Sequence, residues 1–197
     1  MLQIEIDSEL RLEKLRHSHA KGIFSLVNAN REYLRKWLAF VDSTKTFKDT
    51  EDYINQINRE TTSAHSEIVI SIIYREEIIG VMAIKKVDWA NRIVEVGYWL
   101  APQFQGKGII TRCCSALVKF AFNQLGANRI EIKCGVGNDR SSHVPQRLGF
   151  TFEGVERDGE LLNGHFIDIE VYSLLKREWQ TMENAYRWNL EKNLADK

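Results

Sequence analysis

The spacing of hydrophobic positions changes several times along the chain, and each change predicts an element. Ile4 to Leu15 alternates over short distances, the period of one or two strand pieces. Ala20, Ile23, Phe24 and Val27 then recur at helical spacing. Asn28-Ala29-Asn30 interrupts that stripe, and Tyr33, Leu34, Trp37, Leu38 and Val41 form a second one. These helices cover a sheet or line a cleft. Thr46-x-x-Asp49 predicts a capping box for a third helix carrying Tyr53, Ile54 and Ile57. Two β-branched runs, Ile68 to Tyr74 and Ile78 to Lys86, flank Arg75-Glu76-Glu77 and predict an antiparallel hairpin. After a turn at Asp88-Trp89-Ala90-Asn91, Val94, Val96, Tyr98 and Leu100 alternate with Ile93, Glu95, Gly97 and Trp99 in a further strand. Pro102, which has no N–H to give a ladder, ends it.

A helix is predicted next. Ile110, Cys113, Cys114, Leu117, Val118, Ala121, Phe122 and Leu125 fall on one face, and Gly126 stands where the helix should stop. Ile130, Ile132, Cys134 and Val136 alternate as another strand. A strand–helix–strand unit crosses over, so these two strands can be parallel neighbours. The polar stretch Asn138 to Arg147 predicts a loop and a small helix, shortened or distorted by Pro145. Phe150 to Glu156 and Phe166 to Leu175 read as two more strands around turns at Asp158-Gly159 and Asn163-Gly164. From Lys176 a terminal helix places Trp179, Met182, Tyr186 and Leu190 on one face. The expected fold is mixed α/β: a mostly antiparallel sheet with one parallel pair in the middle, flanked by helices.

Composition narrows the functional classes. The chain has 197 residues, 44% hydrophobic and 27% charged, enough for one domain with a substantial core. Formal net charge is zero, which argues against bulk attraction to nucleic acid or an anionic membrane. No apolar run is long enough to span a bilayer. Met1 to Glu5 lacks the basic and apolar regions of a signal peptide. Cys113, Cys114 and Cys134 are odd in number, and two are adjacent on a helix, so a reducing cytoplasm is expected rather than a disulfide framework. The five histidines show no metal-ligand spacing, and no metal is expected.

The candidate chemistry starts at Gln103-Phe104-Gln105-Gly106-Lys107-Gly108-Ile109. Its glycines let backbone come close to a ligand with no Cβ in the way. The loop opens a helix, whose first N–H groups and positive dipole end form an anion site suited to phosphate. The glycines fit neither the dinucleotide fingerprint nor the P-loop. By spacing alone the loop is equally a tight strand–helix connection.

Gln103-x-x-Gly106-x-Gly108 resembles the acetyl-CoA signature, Q/R-x-x-G-x-G/A, of the GNAT N-acetyltransferases. The preceding Glu95 to Leu100 is similar to the strand found there in the branch that acetylates N-termini of ribosomal proteins. The likeness runs from about residue 8 to Trp179 and includes Asn138-x-x-Ser141, Arg147-Leu148-Gly149-Phe150 and Phe152-Glu153-Gly154. It implies an acetyltransferase domain over residues 1–180, with 181–197 as a helical extension. It also implies that acetyl-CoA contacts Trp99, Leu100, Gln103, Phe104, Gln105, Gly106, Lys107, Gly108, Ile109 and Asn138.

Amine acetylation has four physical requirements. The amine must lose a proton, the thioester must lie within attack distance, its oxyanion needs donors, and the departing thiolate can take a proton. No covalent intermediate is needed, and the three cysteines read as core residues. The resemblance assigns the oxyanion to amides near Trp99 and Leu100, where the family's strand splays from its neighbour. A tyrosine that serves as acid in many members is replaced here by Pro145, and the serine-acetylating branch points instead to Ser141. By the same likeness Glu160, in Arg157-Asp158-Gly159-Glu160-Leu161-Leu162-Asn163-Gly164, is the base acting through water. Glu95, on the strand face of Gly97 and Trp99, competes for that role. The implied acceptor is a protein N-terminus, and the implied assembly a homodimer. A small amine acceptor and a non-catalytic acyl-CoA-binding module stay open as alternatives.

Overall fold

The computed structural model describes residues 2–60 and 67–195. Eight strands form one sheet: β1 (Gln3–Glu5), β2 (Leu10–Lys14), β3 (Ile68–Tyr74), β4 (Glu77–Asp88), β5 (Ile93–Leu100), β6 (Arg129–Gly135), β7 (Thr151–Leu162) and β8 (His165–Leu175). Their spatial order is β1-β2-β3-β4-β5-β6-β8-β7. Every neighbouring pair is antiparallel except β5 and β6. The helices are α1 (Ala20–Ala29), α2 (Arg31–Leu34), α3 (Phe40–Ser43), α4 (Phe47–Glu60), α5 (Ile109–Asn123), α6 (Asp139–Arg147) and α7 (Lys176–Ala195).

The alternation along β5 sorts its side chains between two cores. Val94, Val96 and Leu100 join Leu10, Leu12, Ile70, Ile72 and the apolar stripe of α5 on one face. On the other, Trp99 packs with Val69, Leu15 and the buried positions of α1 and α4. Burying both faces ties the helices to the sheet by the dominant favourable term in folding. Cys113, Cys114 and Cys134 are free and buried.

The parallel pair is short. Only Ile93↔Arg129, Val94↔Ile130 and Glu95↔Glu131 are in register, although β5 runs on to Leu100 and β6 to Gly135. Beyond Glu95 the two strands part, and the gap opens at the C-terminal ends of both. This is the splay that the family resemblance implied.

Two sequence readings need refinement. Tyr33 to Val41 is not one helical stripe but two single turns, α2 and α3. The Arg31 guanidinium donates to the Thr44 carbonyl at 2.7 Å and also to that of Val41, folding the segment back on itself. Asp158-Gly159 is not a reversal. Glu156 faces Ile169 and Glu160 faces Ile167, so β7 carries two extra residues as a bulge while continuing to Leu162. The reversal is at Asn163-Gly164, both with positive φ, as a two-residue hairpin requires. The Thr46–Asp49 box forms as read: Asp49 Oδ2 accepts from the Thr46 N–H at 2.7 Å, and Thr46 Oγ1 from the Asp49 N–H at 3.3 Å.

The helix α7 is continuous through residue 180, the expected domain edge. Trp179 stacks on Phe122 with centroids 5.3 Å apart, and Glu183 reaches Lys119. The Tyr186 and Leu190 side chains lie outside the described residues. Among the described residues no helix is long and apolar enough to cross a membrane, and no group of three or more His, Cys, Asp or Glu could hold a metal ion.

Candidate active site

The parting of β5 and β6 creates a cleft of about 1100 Å³, walled by Gly97 to Leu100 on one side and Lys133 to Gly135 on the other. Gly106 and Gly108 line one end of it with φ of +74° and +68°. A Cβ at either would meet no atom within 4 Å, so the loop surface is open to a ligand and glycine is required for its left-handed backbone. Gly108 caps α5 without a side-chain bond, and the first helical bond runs from the Arg112 N–H to the Gly108 carbonyl at 3.0 Å. The N–H groups of Ile109, Ile110 and Thr111 therefore have no partner within α5. Lys107 and Arg140 also line the cleft, as does Arg112, whose guanidinium pairs with Asp7. Amides, helix dipole and cations converge there, which suits a phosphorylated ligand.

Strand geometry decides which β5 amides face the gap. The Ala101 N–H bonds to Ile79 of β4, and a Cβ on Gly80 of β4 would lie 2.3 Å from the Trp99 carbonyl oxygen. Groups of that parity point to β4, so the Tyr98 and Leu100 amides point into the cleft. The Trp99 amide faces β4, so of the amides near Trp99 and Leu100 it is those of Tyr98 and Leu100 that are open to a ligand. The Trp99 side chain lines the cleft from its other face, against Phe40 at 6.3 Å between centroids.

Phe104, Gln105, Lys107 and Ile109 all line the cleft. Gln105 spans it: its Nε2 donates to the Tyr33 hydroxyl at 2.6 Å, and its Oε1 accepts from Arg140. Gln103 differs from expectation. Its exposed side chain lines a separate shallow surface with Ser18, Gly22 and Ile78, because the turn at Pro102–Phe104 directs it away from the gap.

Asn138 stands at the N-terminus of α6 and lines the cleft. Its carbonyl accepts the Ser141 and Ser142 N–H groups at 2.9 and 3.0 Å, while its amide makes no capping bond. Ser141 is also on the wall, and its hydroxyl accepts from the Cys134 thiol at 3.3 Å. Burial pushes the Cys134 thiol up to about 11, so it stays protonated. Glu160, carried by the β7 bulge, lines the cleft near Ile167.

Glu95 is elsewhere. It is absent from the cleft wall, 3% exposed, with Lys85 Nζ at 2.9 Å and Lys86 Nζ at 3.0 Å. Burial alone would raise its pKa, but the two lysines more than offset that and hold the carboxylate below its ordinary range. A base for an amine needs the opposite shift. The sequence reading also passed over Tyr98, Arg140, Lys85 and Lys133 on the cleft wall. Tyr98 looked like a core residue in the alternation, and nothing in a single sequence shows a strand leaving its neighbour.

The model of the acetyltransferase (GNAT) domain matches residues 9–151. The putative ribosomal N-acetyltransferase YdaF of Bacillus subtilis is 35% identical over 180 residues, covering 91% of this chain and 98% of that protein. The ribosomal-protein-serine acetyltransferase of Escherichia coli is 29% identical over 170 residues, covering 86% and 94%. Among solved structures, the ribosomal L7/L12 α-N-protein acetyltransferase RimL in complex with coenzyme A superposes with a TM-score of 0.84 at 26% identity, covering 90% of this chain and 99% of that one. Splayed strands, glycine loop and helix N-terminus thus occur within a match that spans most of the sequence, and the chain belongs to the GNAT acetyltransferase family.

Proposed function

We propose that this enzyme transfers the acetyl group of acetyl-CoA to the N-terminal α-amine of a ribosomal protein. The observation that carries the reading is the splayed gap between β5 and β6, with the anion-binding loop at one end and Glu160 on its wall. The names of the Bacillus subtilis and Escherichia coli relatives supply the acceptor class.

The pyrophosphate of acetyl-CoA would lie on the amides of Gly106 to Thr111, with its pantetheine arm between β5 and β6 beside Asn138. Glu160 takes a proton from the acceptor ammonium through water. The freed amine attacks the thioester carbon, forming the C–N bond. Negative charge moves to the carbonyl oxygen, where the Leu100 and Tyr98 amides are the donors on offer. Collapse breaks the C–S bond, the amine nitrogen gives up its second proton to solvent, and the thiolate leaves with the Ser141 hydroxyl proton. Ser141 recovers a proton from solvent, so no covalent enzyme intermediate arises. Glu95 has no step; it anchors Lys85 and Lys86.

The enzyme would work in the cytoplasm, where Cys113, Cys114 and Cys134 stay reduced, as a homodimer, independently of membrane and nucleic acid. The test is to follow thiol release and acceptor mass with Ser- and Ala-starting peptides, polyamines and amino sugars. Acetylation of a peptide α-amine supports the reading; thiol release with small amines alone overturns the acceptor. Glu160→Gln is expected to lower turnover about a hundredfold or more while leaving coenzyme A affinity unchanged. Unchanged turnover would remove Glu160 as the base.

A further inference from the structure

Pro145 lies inside α6 and has no N–H. The helix bond that this position would donate to the Ser141 carbonyl is therefore missing. That carbonyl still has a donor: the Tyr98 hydroxyl, reaching from β5 on the facing wall, lies 2.9 Å away. The same group of residues closes through Cys134, whose thiol donates to the Ser141 hydroxyl at 3.3 Å. Burial pushes the Tyr98 phenol well above its ordinary range, so its proton stays available to the carbonyl.

We propose that Tyr98 is a positioning residue for acetyl transfer, its hydroxyl standing in for the backbone N–H that Pro145 lacks and holding Ser141 to the splayed end of β5. The inference rests on acetyl transfer taking place in this cleft, as proposed above. Two consequences follow from the geometry. The first turn of α6, with Asn138 and Ser141, takes its position from the β5 wall that carries the Tyr98 and Leu100 amides. Acid and oxyanion donors are thereby fixed relative to one another. Moreover, Pro145 leaves the carbonyl free for the phenol. An amino acid with an N–H at 145 would satisfy it locally and make the hydroxyl dispensable.

The test is a double-mutant cycle of Tyr98→Phe and Pro145→Ala, scored by kcat, by KM for acetyl-CoA and by thermal midpoint. Tyr98→Phe is expected to lower kcat about tenfold, with KM for acetyl-CoA changed less than about threefold. Adding Pro145→Ala restores the N–H at 145, and the double variant should return to within about threefold of the kcat of Pro145→Ala alone. An unchanged kcat in Tyr98→Phe overturns the proposal. So does failure of Pro145→Ala to rescue it, or a loss of thermal midpoint with kcat intact, which would make Tyr98 a packing residue. If Tyr98→Phe alone does not fold, Pro145→Ala is compared with the double variant, and a further tenfold drop in kcat overturns the idea. Ser141→Ala separates the two readings. Full turnover in Ser141→Ala, with coupling in the cycle, removes the acid and leaves the positioning. Loss of turnover in Ser141→Ala, with Tyr98→Phe unaffected, does the reverse.

Discussion

Glu95 and Glu160 are both glutamates on strands near a glycine loop, and only their surroundings separate them. Lys85 and Lys86, brought beside Glu95 by the β4–β5 pairing, keep it ionised in a buried position. Glu95→Gln should therefore cost about 1–3 kcal/mol in urea denaturation and leave kcat within about threefold, opposite to the pattern expected for Glu160→Gln. The sign with pH is fixed as well. The folded-state pKa of Glu95 lies below its ordinary value of 4.5, so its contribution is present above about pH 4.5 and fades as pH falls through the folded value. Gly80 offers a second test. A Cβ there would lie 2.3 Å from the Trp99 backbone oxygen, so β5 must shift. Gly80→Ala should cost about 1–3 kcal/mol or more and weaken acetyl-CoA binding, measured by calorimetry. The sequence could not have separated the two glutamates, since it shows neither the register of Lys85 nor the bulge that carries Glu160. It could show the loop, because glycine spacing and a following helical stripe are local properties.

Elements were legible where their signals were local. The β3–β4 hairpin, the capping box and the α5 stripe each follow from residues within one turn or one ladder. The α2–α3 segment departs from its helical spacing because Arg31 and its distant carbonyl acceptors override it. The β7 bulge is hidden in the sequence because Asp158-Gly159 has turn composition, while cross-strand pairing with Ile167 and Ile169 decides its shape. One connection between elements should respond to pH. The turn His17–His19 is held to the sheet by His19, whose Nδ1 lies 2.8 Å from Ser71 Oγ on β3 and whose Nε2 lies 3.8 Å from Glu13 on β2. Burial pushes the His19 pKa down, with Arg16 and Arg11 adding to the shift. The unfolded imidazole, near 6.5, therefore binds a proton before the folded one does. Stability from this clasp is complete above about pH 6.5 and declines as pH falls towards the lower folded value. Urea midpoints measured between pH 8 and 5, about the range of this titration, should show that decline, and His19→Gln should flatten it. A slope unchanged in His19→Gln would assign it to other groups.

At the scale of the molecule, the sheet is two blocks, β1 to β5 and β6 to β8, with only three residue pairs joining them along β5 and β6. The crossover α5 spans the join and packs into the larger core, but the last residues of both strands face a cleft instead of each other. Backbone groups of Tyr98 and Leu100 that a continuous sheet would pair are left for a ligand or water. A cofactor laid in the gap completes the seam, so binding should stabilise the whole fold and not just the loop. At a hundredfold excess over Kd, acetyl-CoA is expected to add about 2.7 kcal/mol, which for a chain of this size raises Tm by about 5–11 °C. Hydrogen exchange would locate the effect. Slowing should centre on Tyr98, Leu100 and the amides from Gly106 to Thr111, with β1 to β3 changing little below the global unfolding limit. A large Tm shift without protection at Tyr98 and Leu100 would mean that the ligand is held by the loop alone. Protection at both would make the incomplete parallel pair the feature that couples cofactor binding to the stability of the sheet.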